Sequence, residues 1–251
     1  MKKIIIPVFL SLSFFLTSCA ELMNAFESAG SNMPLTEAEV VEGLKEALRT
    51  GARNSAEKLA AENGYYGDEI IKIYLPQEAQ VIVDNISRLP MGRQLVDDVI
   101  LRINRAAEDA AKDVAPIFVS SIRQMTVRDA FGILRGENDA ATEYLKRTTY
   151  DELFRLYSPR IQSSVEKDLV GDISTQDSWD ALTGQWNKFA GSMAGRLAGM
   201  QKVETDLGDY LTRRALNGMF VKVAYEELKI REDVNARVSP LLKKVFGSTG
   251  N

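Results

Sequence analysis

The sequence predicts an all-α fold, a single domain of about nine helices, on the basis of three observations. Apolar residues recur at steps of three and four along most of the chain, capping residues precede many of these stripes, and the connections between stripes are short. With 251 residues, 45% of them hydrophobic, the chain can bury a substantial core. Disorder is therefore excluded for most of its length.

Composition excludes several functions. The chain has no histidine and one cysteine, so it can form neither a Ser-His or Cys-His nucleophile nor a histidine-containing zinc site. It also lacks the glycine-rich nucleotide motifs and the EF-hand pattern, and we expect no metal and no cofactor. Its 31 basic residues are outnumbered by 35 acidic ones and form no cationic run, which argues against nucleic-acid binding.

The N-terminus has the pattern of an export signal. Lys2 and Lys3 precede an apolar stretch, 4–16, that is too short to span a bilayer permanently. The next residues, Leu-Thr-Ser-Cys at 16–19, resemble the lipobox of bacterial lipoproteins, in which the cysteine receives a diacylglyceryl group. This resemblance implies a signal peptide at 1–18 and lipidation of Cys19. The alternative is an ordinary cleaved signal peptide that contains a thiol.

Lipidation would place the protein in the cell envelope, facing the periplasm. Two or more acyl chains anchor a protein stably, since each buried methylene contributes about 0.8 kcal/mol. Ala20 stands where some lineages place an aspartate to retain lipoproteins at the inner membrane, so the outer membrane is favoured. Residues 19–33 are rich in small and polar residues and predict a tether. The helical domain is predicted at 34–247.

Helical patterns fill the first part of this domain. Thr36 and Glu39 form a capping box ahead of a stripe that ends at Asn63 and Gly64. Residues 64–75 are predicted as a loop with one short extended piece, because apolar and polar residues alternate there. A proline or an N-cap residue, such as Thr126 with Asp129, introduces each of the predicted helices at 76–88, 116–125, 126–136 and 139–145. A helix at 93–114 is predicted because its apolar positions form one stripe.

Two sequence signals predict that the chain after residue 145 does not form one continuous helix. Thr149 and Glu152 have the spacing of a capping box, and Pro159 predicts a bend or a restart towards residue 169. After residue 205 a long helix is predicted at about 206–231, and a short one at 240–246.

Residues 170–205 are predicted as a possible hinged amphipathic segment. A hinge at 171–176 leads into a helix with one apolar face: Trp179, Leu182, Trp186, Phe189, Met193, Leu197 and Met200. Glycine recurs at every fourth residue on the opposite face, where each glycine lowers helix propensity by about 1 kcal/mol relative to alanine.

Four short runs resemble signatures of a bacterial family, the domain of unknown function 4197. They are EGLKEAL at 42–48, NRAAE at 104–108, AATEYL at 140–145 and LLKKVFG at 241–247. The resemblance covers 35–247 and implies a helical envelope lipoprotein, but it implies no activity and no catalytic residue. The chain departs from the family pattern at 191–200, where extra small residues lengthen the segment.

One pair of polar residues is a candidate for a groove. Asn104 and Glu108 lie one helical turn apart at the edge of an apolar stripe, so both can point into a groove. The alternative is a hydrogen bond or ion pair between helices. Near the C-terminus, spacing predicts an ion pair between Glu227 and Arg231 within one helix.

Two aromatic sets are candidate binding surfaces. The first would form an adaptable surface if it is exposed, or core if it is not: Trp179, Trp186, Phe189 and Met193. The second is a loop rim that could stack on sugar or peptide, Tyr65 and Tyr66, for which the alternative is a plain solvent-facing loop.

The sequence therefore favours a non-catalytic, lipid-anchored helical module that binds a protein partner or an apolar ligand. The alternative is a carboxylate-dependent envelope hydrolase acting on cell-wall glycan, which needs two carboxylates about 5–9 Å apart, one of them with a raised pKa. A third possibility is a carrier of a hydrophobic molecule, which needs an apolar cavity of roughly 300 Å³ or more.

Overall fold

The computed structural model describes residues 36–89, 91–123 and 125–247, and a helical unit begins at Glu37. Cys19 and the predicted signal peptide and tether lie outside the described residues.

The all-α prediction is confirmed. The described ranges contain ten α-helices, three short 3-10 helices and no strand, beyond an isolated bridge between Val170 and Ile173. The α-helices are α1 (Glu37–Ala60), α2 (Gln80–Asp84), α3 (Gly92–Ala111), α4 (Ala115–Ile122), α5 (Val127–Leu134), α6 (Ala140–Val165), α7 (Thr175–Ala190), α8 (Met193–Leu197), α9 (Leu207–Glu232) and α10 (Pro240–Gly247). The 3-10 helices are Gln77–Ala79, Ile86–Arg88 and Val234–Ala236.

The core lies between four long helices, α1, α3, α6 and α9, and the shorter α7. α9 packs against α6 and α1, and α3 packs against α6 and α7. Each of these helices supplies a stripe of buried apolar residues, such as Leu44 in α1, Ile103 in α3 and Leu216 in α9. Burying one such side chain contributes about 1.5–3 kcal/mol, so these stripes hold the helices together.

The two ends of the domain meet. α10 packs on α1, and the Lys244 ammonium lies 2.6 Å from a carboxylate oxygen of Glu39. The first helix of the domain therefore packs on the last two, α9 and α10, as well as on α3, α4 and α5.

The predicted cap at Thr149 and the predicted restart at Pro159 are wrong, because α6 runs through both positions. A bend of the helix at Pro159 stays a prediction. Thr149 is buried inside the helix, where its hydroxyl donates to the Leu145 carbonyl at 2.6 Å and cannot cap a first turn. Leu153 and Ile161 are also buried, so one apolar face continues across both positions. Tertiary packing thus overrides the local signals.

The first turn of α6 is capped from another helix. Asp139 occupies the N-cap position but makes no side-chain cap. Instead the buried carboxylate of Glu227 in α9 accepts hydrogen bonds from the backbone N–H groups of Ala141 and Thr142, at 3.0 and 2.8 Å. The predicted pair between Glu227 and Arg231 is also present, at 2.7 Å. The predicted cap of α5 is confirmed, since Thr126 and Asp129 form a reciprocal capping box.

The prediction of one helix reaching Met200 is wrong, because α7 ends at Ala190 and α8 begins anew at Met193. Ser192 caps α8 by accepting a hydrogen bond from the Gly195 N–H. A Cβ at Gly195 would lie 2.3 Å from the Phe189 carbonyl oxygen, so only glycine lets α8 fold back this closely.

Glycine also ends α8. Gly199 has a φ of +68°, and the Met200 N–H donates to the Gly195 carbonyl at 3.0 Å, which forms a Schellman cap. We call residues 191–200 the α8 tip. Two of the three regularly spaced glycines thus make a compact turn rather than one face of a longer helix.

Candidate functional site

The connection between α1 and the first 3-10 helix, residues 61–75, is attached to α3 by buried side chains. We call it the pinned segment. The Glu108 carboxylate accepts hydrogen bonds from the backbone N–H groups of Tyr65 and Tyr66, both at 3.1 Å, and it is also bonded by Arg105. Glu108 is 4% exposed, so the loop backbone satisfies a carboxylate that is almost completely removed from water.

Asn104 joins the other end of the pinned segment to α3. Its amide accepts from the Ile73 N–H at 2.9 Å and donates to the Ile73 carbonyl at 2.7 Å. This pair of bonds resembles those that a neighbouring strand would make, but here a side chain of α3 supplies them. Asn104 and Glu108 therefore bond a loop backbone and do not line a groove, and the alternative of a boundary hydrogen bond describes them better.

The expectation of an exposed aromatic rim does not hold for Tyr65. Its side chain is fully buried, and its hydroxyl donates to the Ala215 carbonyl of α9 at 2.8 Å. Burial raises the pKa of Tyr65 well above the ordinary value. Tyr66 is half-buried, and the Lys72 ammonium lies 4.1 Å from the centre of its ring. Of the two tyrosines, only Tyr66 is partly exposed.

The pinned segment forms one wall of an open cleft of about 460 Å³. The last turn of α1 and the C-terminal half of α9 form the other walls. We call this space the lysine cleft, because its charged lining consists of three lysines and two carboxylates: Lys58, Lys222, Lys229, Asp68 and Glu226. Two largely exposed apolar side chains, Ile70 and Tyr225, also line it.

Glu226 organises one side of the lysine cleft. The ammonium groups of Lys58 and Lys229 both bond its Oε1 atom, the latter at 3.1 Å, and the Asn54 amide donates to Oε2 at 3.0 Å. Burial alone would raise the pKa of Glu226, but these hydrogen bonds outweigh burial and lower it from the ordinary value. The carboxylate is therefore ionised at neutral pH and holds two cations side by side.

Asp68 and Lys222 form the second ion pair of the cleft, between the pinned segment and α9. Burial acts to raise the pKa of Asp68, and the bonds from Lys222 and from the backbone N–H groups of Ile70 and Ile71 lower it overall. Both carboxylates of the cleft are thus anionic at neutral pH.

The lysine cleft has an excess of positive charge, with three ammonium groups against two carboxylates. The side chains of Lys58 and Lys229 are each 55% exposed, and each ammonium carries three donors, of which Glu226 uses one. The remaining donors can bond an anionic group that enters the cleft. The arrangement is suited to binding a carboxylate or phosphate.

Sequence reasoning missed the three lysines of this cleft. Lys58 is separated from Glu226 by 168 residues, so no local pattern connects them. A partial signal was available in α9, where Lys222, Glu226 and Lys229 follow one another at steps of four and three and so share a face.

The predicted apolar stripe of α7 and α8 divides between core and surface. Trp179 and Trp186 are buried, and the Trp186 indole N–H donates to the Gln201 carbonyl at 2.8 Å. Phe189 is half-buried, with the Arg88 guanidinium 6.0 Å from its ring centre. Met193 is 75% exposed. The two tryptophans are therefore core residues, and only the end of the stripe is free to contact another molecule.

The predicted hinge before α7 is bonded to α3. The buried Arg102 guanidinium donates to the carbonyl oxygens of Val170 and Ile173, and the Thr175 hydroxyl donates to the Arg102 carbonyl at 3.3 Å. Gly171 provides the positive φ of this turn.

An apolar cavity lies between α1, α6, α9 and α10, lined by Leu44, Leu48, Val223 and Phe246 among others. Its volume is about 10 Å³, which is room for about one water molecule. This cavity cannot hold a lipid chain. Within the ranges that the structure describes, no helix is both long and apolar enough to cross a bilayer, and no cluster of three or more carboxylates is arranged to hold a metal ion.

Comparison with known proteins agrees with the resemblance of the four sequence runs. Neither a search of curated proteins nor a search of solved structures found a match. A family model matches residues 34–247, which is the whole of the helical domain. The chain therefore belongs to the family described as "Protein of unknown function (DUF4197)".

Proposed function

We propose that this protein is a non-catalytic, lipid-anchored module of the bacterial cell envelope that binds an anionic group in the lysine cleft. The single observation that carries the proposal is the pair of half-exposed ammonium groups, Lys58 and Lys229, held together by the buried carboxylate of Glu226. The ligand is a molecule or protein segment that presents a carboxylate or phosphate.

Charge and space both support this ligand class over an apolar one. The cleft is large enough for a group of several atoms, whereas the apolar cavity of the core holds about 10 Å³. Glu226 fixes the two cations before the ligand arrives, so little side-chain freedom is lost on binding. Ile70 and Tyr225 add apolar contacts beside the charged group.

The hydrolase alternative needs a carboxylic acid that is still protonated near neutral pH. The lowered pKa values of Asp68 and Glu226 disfavour this role for either carboxylate of the cleft. If the alternative is right, the purified protein should release sugars from cell-wall glycan, and Glu226→Gln should abolish the release. Our proposal expects no release from either protein.

Calorimetric titration of the purified chain tests the proposal. The probes are inorganic phosphate and a short oligoglutamate peptide, which separate a preference for phosphate from one for carboxylate. We expect one of them to bind, and we expect the double variant Lys58→Gln, Lys229→Gln to bind at least about tenfold more weakly. This follows because each hydrogen bond to a charged group contributes about 1.5–3 kcal/mol.

The chain offers a matched control for this experiment. Lys112 and Lys167 also bond one carboxylate, that of Asp109, at 2.8 and 2.6 Å, but neither lysine lines the cleft. The double variant Lys112→Gln, Lys167→Gln should bind the probe like the parent. The proposal is wrong if neither probe binds the parent, or if both double variants bind equally well.

The lipid anchor requires its own test, since Cys19 lies outside the described residues. Metabolic labelling with palmitate should mark the parent protein and leave a Cys19→Ser variant unmarked. An unlabelled parent would contradict the anchor and leave the proposal for the cleft intact.

A further inference from the structure

The α8 tip differs in charge from the rest of the molecule. Asp180 and Glu204 flank the longest stretch of the chain without an acidic residue, 181–203. The same stretch contains three cations, Lys188, Arg196 and Lys202. In a chain with a net charge of −4, this is a local region of positive charge.

The tip also exposes its largest apolar side chains. Met193 is 75% exposed and Leu197 is 84% exposed. They lie four residues apart, and so on the same face of α8, with Arg196 beside them.

The backbone around α8 is held by hydrogen bonds within the tip itself, so these side chains point outwards in a fixed position. The Ser192 cap and the Schellman cap at Gly199 satisfy the ends of α8 locally. The returning chain is fastened to α7, since the Asn187 amide donates to the Val203 carbonyl at 2.9 Å and accepts from the Val203 N–H at 2.8 Å. The tip is therefore a preformed projection, and its apolar face does not result from a frayed helix.

Two exposed apolar side chains, in a stretch of chain that carries three cations and no acidic residue, match the surface of an anionic bilayer. The apolar groups enter the boundary between headgroups and acyl chains, and the cations contact the phosphates. A protein groove would match the apolar groups equally well, but the absence of any acidic residue over 181–203 favours a uniformly anionic surface.

We infer that the α8 tip is a membrane-contact site that inserts Met193 and Leu197 into the surface of a bilayer containing anionic phospholipid. This membrane contact is distinct from the lysine cleft and from a lipid on Cys19, because the folded domain itself makes it. Together with any anchor, it would determine which face of the domain points away from the membrane.

Single cysteines at the tip test this inference in the full chain. Met193→Cys and Leu197→Cys are labelled with an environment-sensitive fluorophore, and the proteins are reconstituted in vesicles of phosphatidylethanolamine and phosphatidylglycerol in equal parts, with brominated lipid as the quencher. The controls are Val234→Cys and Val238→Cys, which replace exposed apolar residues near Glu232 and Asp233.

We expect the probes at 193 and 197 to be quenched and the controls to remain in water. Arg196→Gln should lower the ratio of inserted to free tip about fivefold, since a cation at an anionic surface contributes about 1 kcal/mol. The inference is overturned if no probe is quenched, or if all four are quenched alike. Equal quenching at the tip in pure phosphatidylcholine vesicles would overturn the assignment to anionic lipid.

The tip experiment can be interpreted whether or not Cys19 is acylated. In the parent, Cys19 is the only thiol, so labelling of the parent itself would show that Cys19 is not acylated. The tip variants would then be prepared with Cys19→Ser, and the same comparison of probes would decide the inference.

Discussion

The pinned segment and the α8 tip are both connections between helices, yet one is part of the core and the other projects into solvent. The pinned segment receives buried hydrogen-bonding groups from α3, namely the Asn104 amide and the Glu108 carboxylate. The tip satisfies its own helix ends with Ser192 and Gly199. The position of a connection is thus decided by where its backbone N–H and C=O groups find partners.

This difference has consequences for stability and function. A connection that depends on another helix loses its position when that helix loses one side chain. A connection that caps itself tolerates changes to its exposed side chains, and it can therefore present apolar groups for binding. The following predictions test the difference, beginning with the largest effect.

Replacing Asn104 should be the most damaging change. Asn104→Ala leaves both polar groups of Ile73 without their partner, and an unpaired buried backbone group costs about 1–3 kcal/mol. We expect the free energy of unfolding in urea to fall by about 3 kcal/mol. The matched change Asn235→Ala, at an exposed asparagine, should cost less than about 0.5 kcal/mol. Similar losses in the two variants would contradict the role given to Asn104.

Two buried tyrosines provide a finer comparison. Tyr65→Phe removes a hydrogen bond to Ala215 and should lower the free energy of unfolding by about 1 kcal/mol. The hydroxyl of Tyr157 is buried and has no hydrogen-bond partner among the residues that the structure describes, so Tyr157→Phe should be neutral or stabilising. Thermal unfolding of both variants checks the order. A greater loss for Tyr157→Phe would show that its hydroxyl has a partner, such as a bound water.

Acid should loosen the pinned segment and leave the tip unaffected. The pKa of Asp68 is lowered in the folded state from its ordinary value of 3.8. Its contribution to stability is therefore full above that value and is lost as the pH falls through the folded-state pKa. Hydrogen exchange, corrected for intrinsic rates, should show protection of the pinned segment falling below about pH 4. The tip, with no acidic residue, should change only with global unfolding.

The control for this experiment is Asp68→Asn. In this variant the pinned segment should be less protected from exchange at neutral pH, and its protection should not decrease further in acid. An unchanged acid response in this variant would show that another carboxylate controls the segment.

The smallest effect is expected at the tip. The double variant Met193→Ser, Leu197→Ser removes two exposed apolar side chains, so the free energy of unfolding should change by less than about 0.5 kcal/mol. A loss of several times this size would show that the tip packs against the domain, and that it is not free to contact a membrane.

Much of the fold could be predicted from sequence because its signals are local. The apolar stripe of α3, the capping box at Thr126 and Asp129, and the bounds of α9 depend on residues three or four positions apart. Thr149 and Pro159 misled the prediction, because a buried face on α6 extends across both positions. A local cap signal cannot reveal that neighbouring helices cover the whole length of α6.

The candidate site could be predicted only in part. The spacing in α9 shows that Lys222, Glu226 and Lys229 share a face, but Lys58 arrives from another helix. The sequence analysis selected aromatic residues as binding candidates, but Tyr65 and Trp186 are buried in the core, where large aromatic side chains contribute most to packing. The cleft is instead lined by long, charged side chains of a kind that is common throughout the sequence.

The packing of α1 on α9 and α10 has a consequence for synthesis. As the chain is made, α1 emerges first, whereas two of the helices that pack on it, α9 and α10, emerge last. Contacts such as those of Lys58 with Glu226 and of Glu39 with Lys244 can form only then. A chain that stops before residue 207 can still pack α1 on α3, α4 and α5, but it leaves uncovered the part of α1 that contacts α9 and α10. The domain is therefore complete only when its last two helices are present, and truncated chains should be removed by proteases.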